Sequence, residues 1–174
     1  EIDITVVVPF YNPGHRFLPS LQRLVSTLRE EEITFEVIAV SDGSTDGNAE
    51  ALQEMHSDVV RSVVLTENWG KGEALRVGLS LGRGKYIGFI DADGDIDASL
   101  FNPFLALINL YQPHIISGSK RHPMSEVEYP ALRRMYSWGY QQLIRALFRL
   151  DVQDTQVGIK LVRRDVLAGV LPRM

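Results

Sequence analysis

Short apolar runs and amphipathic stretches alternate along the first two thirds of the chain. Each apolar run is too brief for a helix and ends beside glycine, proline or aspartate, so it predicts a buried strand. The stretches between these runs repeat leucine and valine at helical spacing and predict amphipathic helices. The predicted strands are Asp3–Pro9, Phe35–Val40, Val59–Leu65, Lys85–Ile90 and His114–Ser117, and helices are predicted around residues 19–32, 48–56, 72–81 and 98–110.

This alternation predicts an α/β fold with a mostly parallel sheet that helices cover on both faces. The length of 174 residues suits one domain of ordinary size. After residue 119 the pattern changes to a polar loop and a basic helical stretch at residues 130–150. A further strand at Ile159–Val162 and a last helix from Arg164 complete the predicted elements.

Three carboxylates, Asp91, Asp93 and Asp95, follow the fourth predicted strand at alternate positions. Carboxylates this close together repel each other and resist leaving water unless a cation compensates them. Mg²⁺ or Mn²⁺ takes oxygen ligands, and Mg²⁺ completes its coordination with water and substrate phosphates. The segment therefore predicts a metal site that holds a diphosphate, and the alternative is a solvated turn or a helix cap.

Polar segments also follow the first three strands. Asn12 follows the first, and the segment 41–46 suits hydrogen bonds to a ribose or base, or else a turn with capping residues. The segment 68–72 places glycines and Lys71 before a helix, where a phosphate can bind, although its spacing is not that of a Walker A loop. Trp69 is predicted to be a packing residue near the site. Ligands of parallel sheets bind beyond the carboxyl ends of the strands, so we expect these segments to converge.

The amino-acid composition excludes several kinds of site. The chain has no cysteine, which excludes disulfides, zinc–thiolate sites and cysteine nucleophiles. No stretch reaches the roughly 18 apolar residues that span a bilayer. Since the chain begins at Glu1 without methionine and stops within a pattern at Met174, we expect a fragment of a longer protein. No interleaving of basic and aromatic residues indicates nucleic-acid binding.

Charge is unevenly distributed along the chain. Residues 120–174 carry 10 basic and 5 acidic side chains, whereas the whole chain has a net charge of −4. This asymmetry predicts an anionic partner for the C-terminal third, either a phosphate group or a membrane surface. The alternative interpretation is an ordinary solvated helix face.

In combination, these segments resemble family 2 glycosyltransferases of the GT-A fold. Residues 6–12 (VVVPFYN) look like the opening strand and loop of that family. Residues 40–46 (VSDGSTD) look like its Asp-Asp-Gly-Ser-x-Asp motif, and residues 91–93 (DAD) like its Asp-x-Asp motif. The resemblance departs at Ser41, where the family has aspartate, and at Pro13, where it usually has glutamate. These departures leave open a catalytically silent nucleotide-binding module.

The C-terminal third resembles polyprenyl-phosphate and dolichyl-phosphate glycosyltransferases in residues 118–121 (GSKR), 133–139 (RRMYSWG) and 154–160 (DTQVGIK). It looks closer to glucosyltransferases than to mannosyltransferases. The resemblance therefore implies inverting, metal-dependent transfer from a UDP-sugar, such as UDP-glucose or UDP-N-acetylhexosamine, to polyprenyl or dolichyl phosphate at the cytoplasmic face of a membrane. GDP-mannose as donor and a non-lipid saccharide as acceptor are the alternatives.

The resemblance also implies roles for individual residues and for two parts of the single domain. Residues 1–97 are expected to bind the nucleotide-sugar and metal, and residues 98–174 the acceptor. The metal ligands implied are Asp91 and Asp93 with Asp95, and Asp91, Asp93 and Asp154 are the expected catalytic residues. The expected substrate-binding residues are Pro9, Asn12, Asp42, Gly43, Lys71, Gly72, Lys120, Arg133, Ser137 and Gln156.

Overall fold

A computed structural model describes residues 2–92, 101–118 and 159–173 of the chain. The chain forms two compact units, Glu1–Ile116 with Ile159–Met174, and Ser117–Gly158. Nearly all the described residues belong to the first unit. The predicted site residues that lie outside the described residues are Asp93, Asp95, Lys120, Arg133, Ser137, Asp154 and Gln156. The predicted division near residue 97 stays a prediction.

The described residues form a six-stranded sheet in the order β3-β2-β1-β4-β6-β5. The strands are β1 Ile4–Phe10, β2 Phe35–Asp42, β3 Val60–Leu65, β4 Tyr86–Ile90, β5 Ile115–Ser117 and β6 Ile159–Arg163. The pairs β1–β2, β1–β4 and β2–β3 are parallel, whereas β4–β6 is antiparallel. The prediction of an α/β fold with a mostly parallel sheet is confirmed.

Five helices accompany these strands in the described part of the chain. They are α1 Phe17–Glu30, α2 Asn48–Glu54, α3 Lys71–Leu81, α4 Phe101–Tyr111 and α5 Arg164–Val170, and a 3₁₀ turn follows at Leu171–Arg173. Each predicted helix within the described residues is present, with ends that differ by a few residues. In the described part of the chain, every helix is too short or too polar to span a lipid bilayer.

The sheet core is built on β1 and β2. Every residue of β1 is buried, and so is every residue of β2 after Phe35. Helix α3 lies very close to these two strands, since a Cβ on Gly78 would lie 2.3 Å from Cγ1 of Val7 and 3.0 Å from Cγ2 of Val40. Because α3 follows the end of β3 after a short loop, its first turn lies where the parallel strands β1, β2, β3 and β4 end. We call this the carboxyl edge.

The opposite edge of the sheet contains a buried polar cluster that the sequence did not reveal. The Thr5 hydroxyl donates to Glu36 Oε1 at 2.8 Å and accepts the backbone N–H of Gly84 at 2.8 Å. The Arg83 guanidinium donates to Glu36 Oε2 at 2.8 Å. Burial raises the pKa of Glu36, but the hydrogen bonds from Arg83 and Thr5 outweigh it, and the pKa is lowered overall. The cluster ties the start of β4 to β1 and β2.

Candidate functional site

The loops that follow β1, β2 and β3 meet at the carboxyl edge, together with the residue that follows β4. They comprise residues 11–16, 43–47 and 66–70, with Asp91 after β4. Hydrogen bonds and one ion pair connect each of these segments to the next. The convergence expected from the sequence is thus present in the described residues.

The loop after β1 is fixed to the loop after β2. The backbone N–H of Asn12 donates to Ser44 Oγ at 3.1 Å, and the Asn12 side-chain oxygen accepts the backbone N–H of Thr45 at 2.7 Å. Asn12 has a φ of 46°, a left-handed conformation that asparagine tolerates better than most residues. Its side-chain oxygen is thus engaged within the protein, while its side-chain amide nitrogen has no hydrogen-bond partner among the described residues.

Asp46 strengthens the same junction. One of its oxygens accepts the backbone N–H of Gly14 at 3.0 Å and the side-chain amide of Asn48 at 2.6 Å. Partial burial raises the pKa of Asp46, but these hydrogen bonds lower it by more, so its pKa lies below the ordinary value. The carboxylate thus stays charged at neutral pH and holds the two loops together.

Asp42 ends β2 and faces the carboxyl edge. It is only 3% exposed, and its Oδ1 accepts the backbone N–H of Trp69 at 2.8 Å. Its other oxygen has no hydrogen-bond partner among the described residues. Among the described residues, the buried side-chain atom without a partner is Ser62 Oγ, so this oxygen of Asp42 is accessible and can accept a ligand N–H or O–H. Ser41 is fully buried and accepts the backbone N–H of Ser44, so it supports the turn.

Gly43 allows the loops after β2 and β3 to touch. Its φ is +70°, and a Cβ there would lie 2.7 Å from the backbone carbon of Glu67 and 2.8 Å from the backbone nitrogen of Asn68. Real Cβ atoms do not approach backbone atoms so closely, so any side chain would push the two loops apart. Glycine is therefore required at this position by both conformation and space.

Substitution of Gly43 by alanine tests the importance of this contact. We expect Gly43→Ala to weaken the nucleotide binding that the resemblance implies by about ten- to a hundred-fold, because the loops that contain Asp42 and Trp69 would be pushed apart. Gly47→Ala is the matched control, since Gly47 also has a positive φ of 83° but open space around it. Both variants place an alanine at a positive φ and share that conformational cost, so a difference between them reports the steric clash alone. Calorimetric titration with UDP measures the affinity of each variant. Equal affinities in the two variants would contradict the steric argument.

Lys71 and Asp91 form an ion pair at the same edge. The Lys71 ammonium lies 2.5 Å from Oδ1 of Asp91, and the two side chains are 54% and 28% exposed. Lys71 is the first residue of α3, and Asp91 comes directly after β4. A Cβ added to Gly72, the next residue of α3, would meet no atom within 4 Å. The first turn of α3 therefore leaves room for a ligand.

The carboxylate of Asp91 has the donor chemistry that suits a hard divalent cation, since Mg²⁺ and Mn²⁺ prefer oxygen ligands. In this structure Lys71 is its cationic partner. Within residues 2–92, 101–118 and 159–173, no group of three or more histidine, cysteine, aspartate or glutamate side chains could hold a metal. The rest of the implied site, Asp93 and Asp95, lies outside these residues.

Two aromatic side chains at this edge are exposed. Trp69 is 64% exposed, so its prediction as a packing residue is wrong, and Tyr11 is 53% exposed. Exposed rings of this size on short, well-anchored loops offer flat surfaces for stacking on a base. Pro9, in contrast, is buried within β1, where it pairs with Val40. A ligand contact to the Pro9 side chain stays a prediction.

Comparison with known proteins supports these observations. The model of the family described as Glycosyl transferase family 2 matches residues 5–171. The dolichyl-phosphate beta-glucosyltransferase of Homo sapiens is 33% identical over 93% of this chain and 55% of its own length. That of Dictyostelium discoideum is 28% identical over 100% of this chain and 58% of its own length. The chain thus spans little more than half the length of these curated relatives.

Solved structures share the fold. Glucosyl-3-phosphoglycerate synthase from Mycobacterium tuberculosis, in complex with Mn²⁺, UDP-glucose and phosphoglyceric acid, has a TM-score of 0.67 and 22% identity, covering 99% of this chain and 66% of that one. Mannosyltransferase PcManGT from Pyrobaculum calidifontis, in complex with GDP-Man and Mn²⁺, has a TM-score of 0.62 and 20% identity, covering 96% and 46%. At these identities the similarity shows the fold, and the expected GT-A architecture is confirmed.

Proposed function

Since the chain belongs to glycosyl transferase family 2, we propose that it transfers glucose from UDP-glucose to dolichyl phosphate or a related polyprenyl phosphate. One observation of the structure supports the part of this proposal that concerns the nucleotide-sugar donor. The open carboxylate oxygen of Asp42 and the carboxylate of Asp91 lie at one edge of the sheet, joined through the segment that contains Trp69 and Lys71. The names of the curated relatives support the acceptor and the sugar.

Donor recognition starts from Asp42. Its free oxygen is suited to accept the imide N–H of uracil or a ribose hydroxyl, and burial strengthens such a hydrogen bond. Tyr11 and Trp69 present rings that suit stacking on the base. Asn12 keeps only its amide nitrogen for the nucleoside, because its oxygen already binds the loop after β2. Gly43 maintains this arrangement, because it allows the loops after β2 and β3 to stay in contact.

The reaction is proposed to be a direct displacement with inversion. An oxygen of the lipid phosphate attacks the anomeric carbon, the new C–O bond forms, and the bond from that carbon to the diphosphate breaks to release UDP. The acceptor phosphate is anionic at neutral pH, so its oxygen attacks without a strong general base. Catalysis then rests on positioning and on neutralising charge on the leaving diphosphate.

Two groups of this chain face the leaving diphosphate in this proposal. The ammonium of Lys71 and the first turn of α3 supply fixed positive charge and backbone N–H groups. The carboxylates Asp91 and Asp93, with Asp95, would hold a divalent ion, which supplies Lewis-acid charge to the diphosphate. The proposed role of Asp154 and Gln156 is to line the sugar and acceptor side.

The acceptor side is proposed from the sequence. Lys120, Arg133 and Ser137 would bind the lipid phosphate, since guanidinium and ammonium groups are the usual partners of phosphate. The basic C-terminal third would face an anionic membrane surface, to which each basic residue contributes about 1 kcal/mol. This attraction weakens with salt, because the Debye length falls.

A donor screen tests the proposed function. The protein is incubated with Mn²⁺ or Mg²⁺, dolichyl phosphate and, in turn, UDP-glucose, UDP-N-acetylglucosamine and GDP-mannose, and glycolipid and released nucleotide are measured. We expect glucolipid from UDP-glucose, and none after chelation of the metal. Turnover with GDP-mannose alone would identify a mannosyltransferase. Transfer to a saccharide without lipid phosphate would reject the proposed acceptor, and no turnover with any donor would reject the enzyme activity.

A further inference from the structure

The position of Lys71 is unusual for a lysine. It is the first residue of α3, an eleven-residue helix, and no side chain caps the helix at this end. The helix dipole places partial positive charge at an N-terminus, so a cation there is unfavourable and an acidic residue is preferred. A lysine at this position therefore indicates a local demand for positive charge that outweighs the dipole.

Asp91 accounts for that demand in the described part of the chain. It follows the buried residue Ile90, and its Oδ1 lies 2.5 Å from the Lys71 ammonium. In sequence it is followed closely by Asp93 and Asp95, so several negative charges are concentrated within five residues. The other ion pairs among the described residues do not involve this aspartate.

We propose that Lys71 is a replaceable counter-ion, which balances Asp91 when no divalent ion is bound and moves to the donor diphosphate when metal and donor bind together. This inference rests on the proposed function, because it takes a nucleoside diphosphate as the second anion. Lys71 is then a positioning residue that opposes binding of metal alone and favours binding of metal with donor.

The ion pair has the properties that such an exchange needs. The Lys71 side chain is 54% exposed, and it donates a hydrogen bond to Asp91. Exposed ion pairs are weak, so a divalent ion can displace the lysine, and the competition lowers the affinity for the ion only a few-fold. Lys71 lies between Gly70 and Gly72, and its stem is long and flexible, so the ammonium can turn towards a new anion without moving α3.

A thermodynamic consequence follows from this exchange. Metal alone has to displace Lys71 from Asp91 and leaves the ammonium without a partner. A diphosphate that arrives with the metal gives the ammonium another anion. The affinity for metal should therefore rise when UDP is present, and by linkage the affinity for UDP should rise equally when metal is present.

Mn²⁺ binding, followed by the electron paramagnetic resonance signal of free Mn²⁺, tests the inference without measuring activity. We expect Lys71→Gln to bind Mn²⁺ alone about two- to five-fold more tightly than the wild-type protein, since the competing cation is gone. We also expect UDP to enhance Mn²⁺ binding less in this variant than in the wild type. Lys85→Gln is the matched control, because Lys85 is an exposed lysine at the other end of β4. It should behave as the wild type.

Two results would overturn the inference. Mn²⁺ affinity in Lys71→Gln that equals or falls below the wild-type value would show that Lys71 does not compete for Asp91. An unchanged enhancement by UDP would show that Lys71 does not move to the diphosphate. Either result, with UDP bound by the wild-type protein, leaves the proposed function standing. Absence of UDP binding to the wild type in any metal would instead reject the proposed function, and the inference with it.

Discussion

Replacement of Asp91 by asparagine is expected to lower sugar transfer by about a hundred- to a thousand-fold and to leave the fold intact. The loss is expected because asparagine keeps the shape of the side chain but removes the charge that is proposed to hold the divalent ion at the leaving diphosphate. The fold should survive because Asp91 is partly exposed and its ion pair with Lys71 lies at the surface. Glucolipid formation and thermal unfolding of the variant measure the two effects separately.

The control for this experiment is Asp58→Asn. Asp58 lies between α2 and β3, where it is exposed and pairs with Arg29, and the same chemical change there should leave transfer unchanged. Asp93→Asn is expected to resemble Asp91→Asn, since the resemblance assigns both residues to the metal. Full metal-dependent activity in Asp91→Asn would show that the carboxylate does not hold the ion. A fall in activity with a matching loss of folded protein would assign the residue a structural role.

Removal of the Glu36 side chain is expected to have the largest effect on stability. We expect Glu36→Ala to lower the free energy of unfolding by about 2–4 kcal/mol, because it leaves the hydroxyl of Thr5 without its acceptor. The backbone N–H of Arg83 would lose its 2.7 Å bond to Glu36 and keep only the longer one to Thr5 Oγ1 at 3.2 Å. Glu36 is 4% exposed and Thr5 fully buried, so water does not easily replace the lost bonds. The Arg83 side chain is 65% exposed and can be hydrated again, which limits the loss. Chemical denaturation measures the difference.

Glu32→Ala provides the comparison, since Glu32 is exposed in the loop between α1 and β2 and its removal should change stability by less than about 0.5 kcal/mol. Equal stabilities of the two variants would show that the buried cluster contributes nothing to the fold.

The same cluster predicts how stability depends on pH. The pKa of Glu36 is lowered in the folded protein, so its contribution is fully present above the ordinary glutamate pKa and is lost as the pH falls through the lowered value. Glu36→Gln should therefore reduce the acid-side slope of unfolding free energy against pH. The slope should not vanish, because hydrogen bonds from Thr34 also lower the pKa of Asp3, and Asp46 behaves similarly.

Much of the fold could be predicted from the local pattern of apolar and polar residues. The apolar run Tyr86–Ile90 is uninterrupted because β4 is buried on both faces between its neighbours, and such runs identify strands without tertiary information. The helical spacing of Leu21, Leu24 and Leu28 likewise matches the buried face of α1. Both signals are properties of a few consecutive residues, which is why the elements were predicted within a few residues of their ends.

The candidate site was predicted in outline for a related reason. In a parallel sheet, polar residues that follow successive strands have to meet at one edge, so Asn12, Asp42 and Asp91 could be grouped from sequence order alone. The resemblance to a known family then supplied their expected roles. The exposure of Trp69 could not be predicted, because an aromatic residue beside glycines fits a packed and a solvent-facing position equally well.

Local sequence pattern was thus enough for the kind of each element, the α/β class and the edge where the polar residues gather. The strand order, with β6 antiparallel beside β4, emerged only in three dimensions, since that pairing joins residues about 70 positions apart. The same holds for the pairing of Lys71 with Asp91 and for the cluster around Glu36. These contacts depend on the approach of distant side chains across the sheet, which no local pattern of polar and apolar residues records.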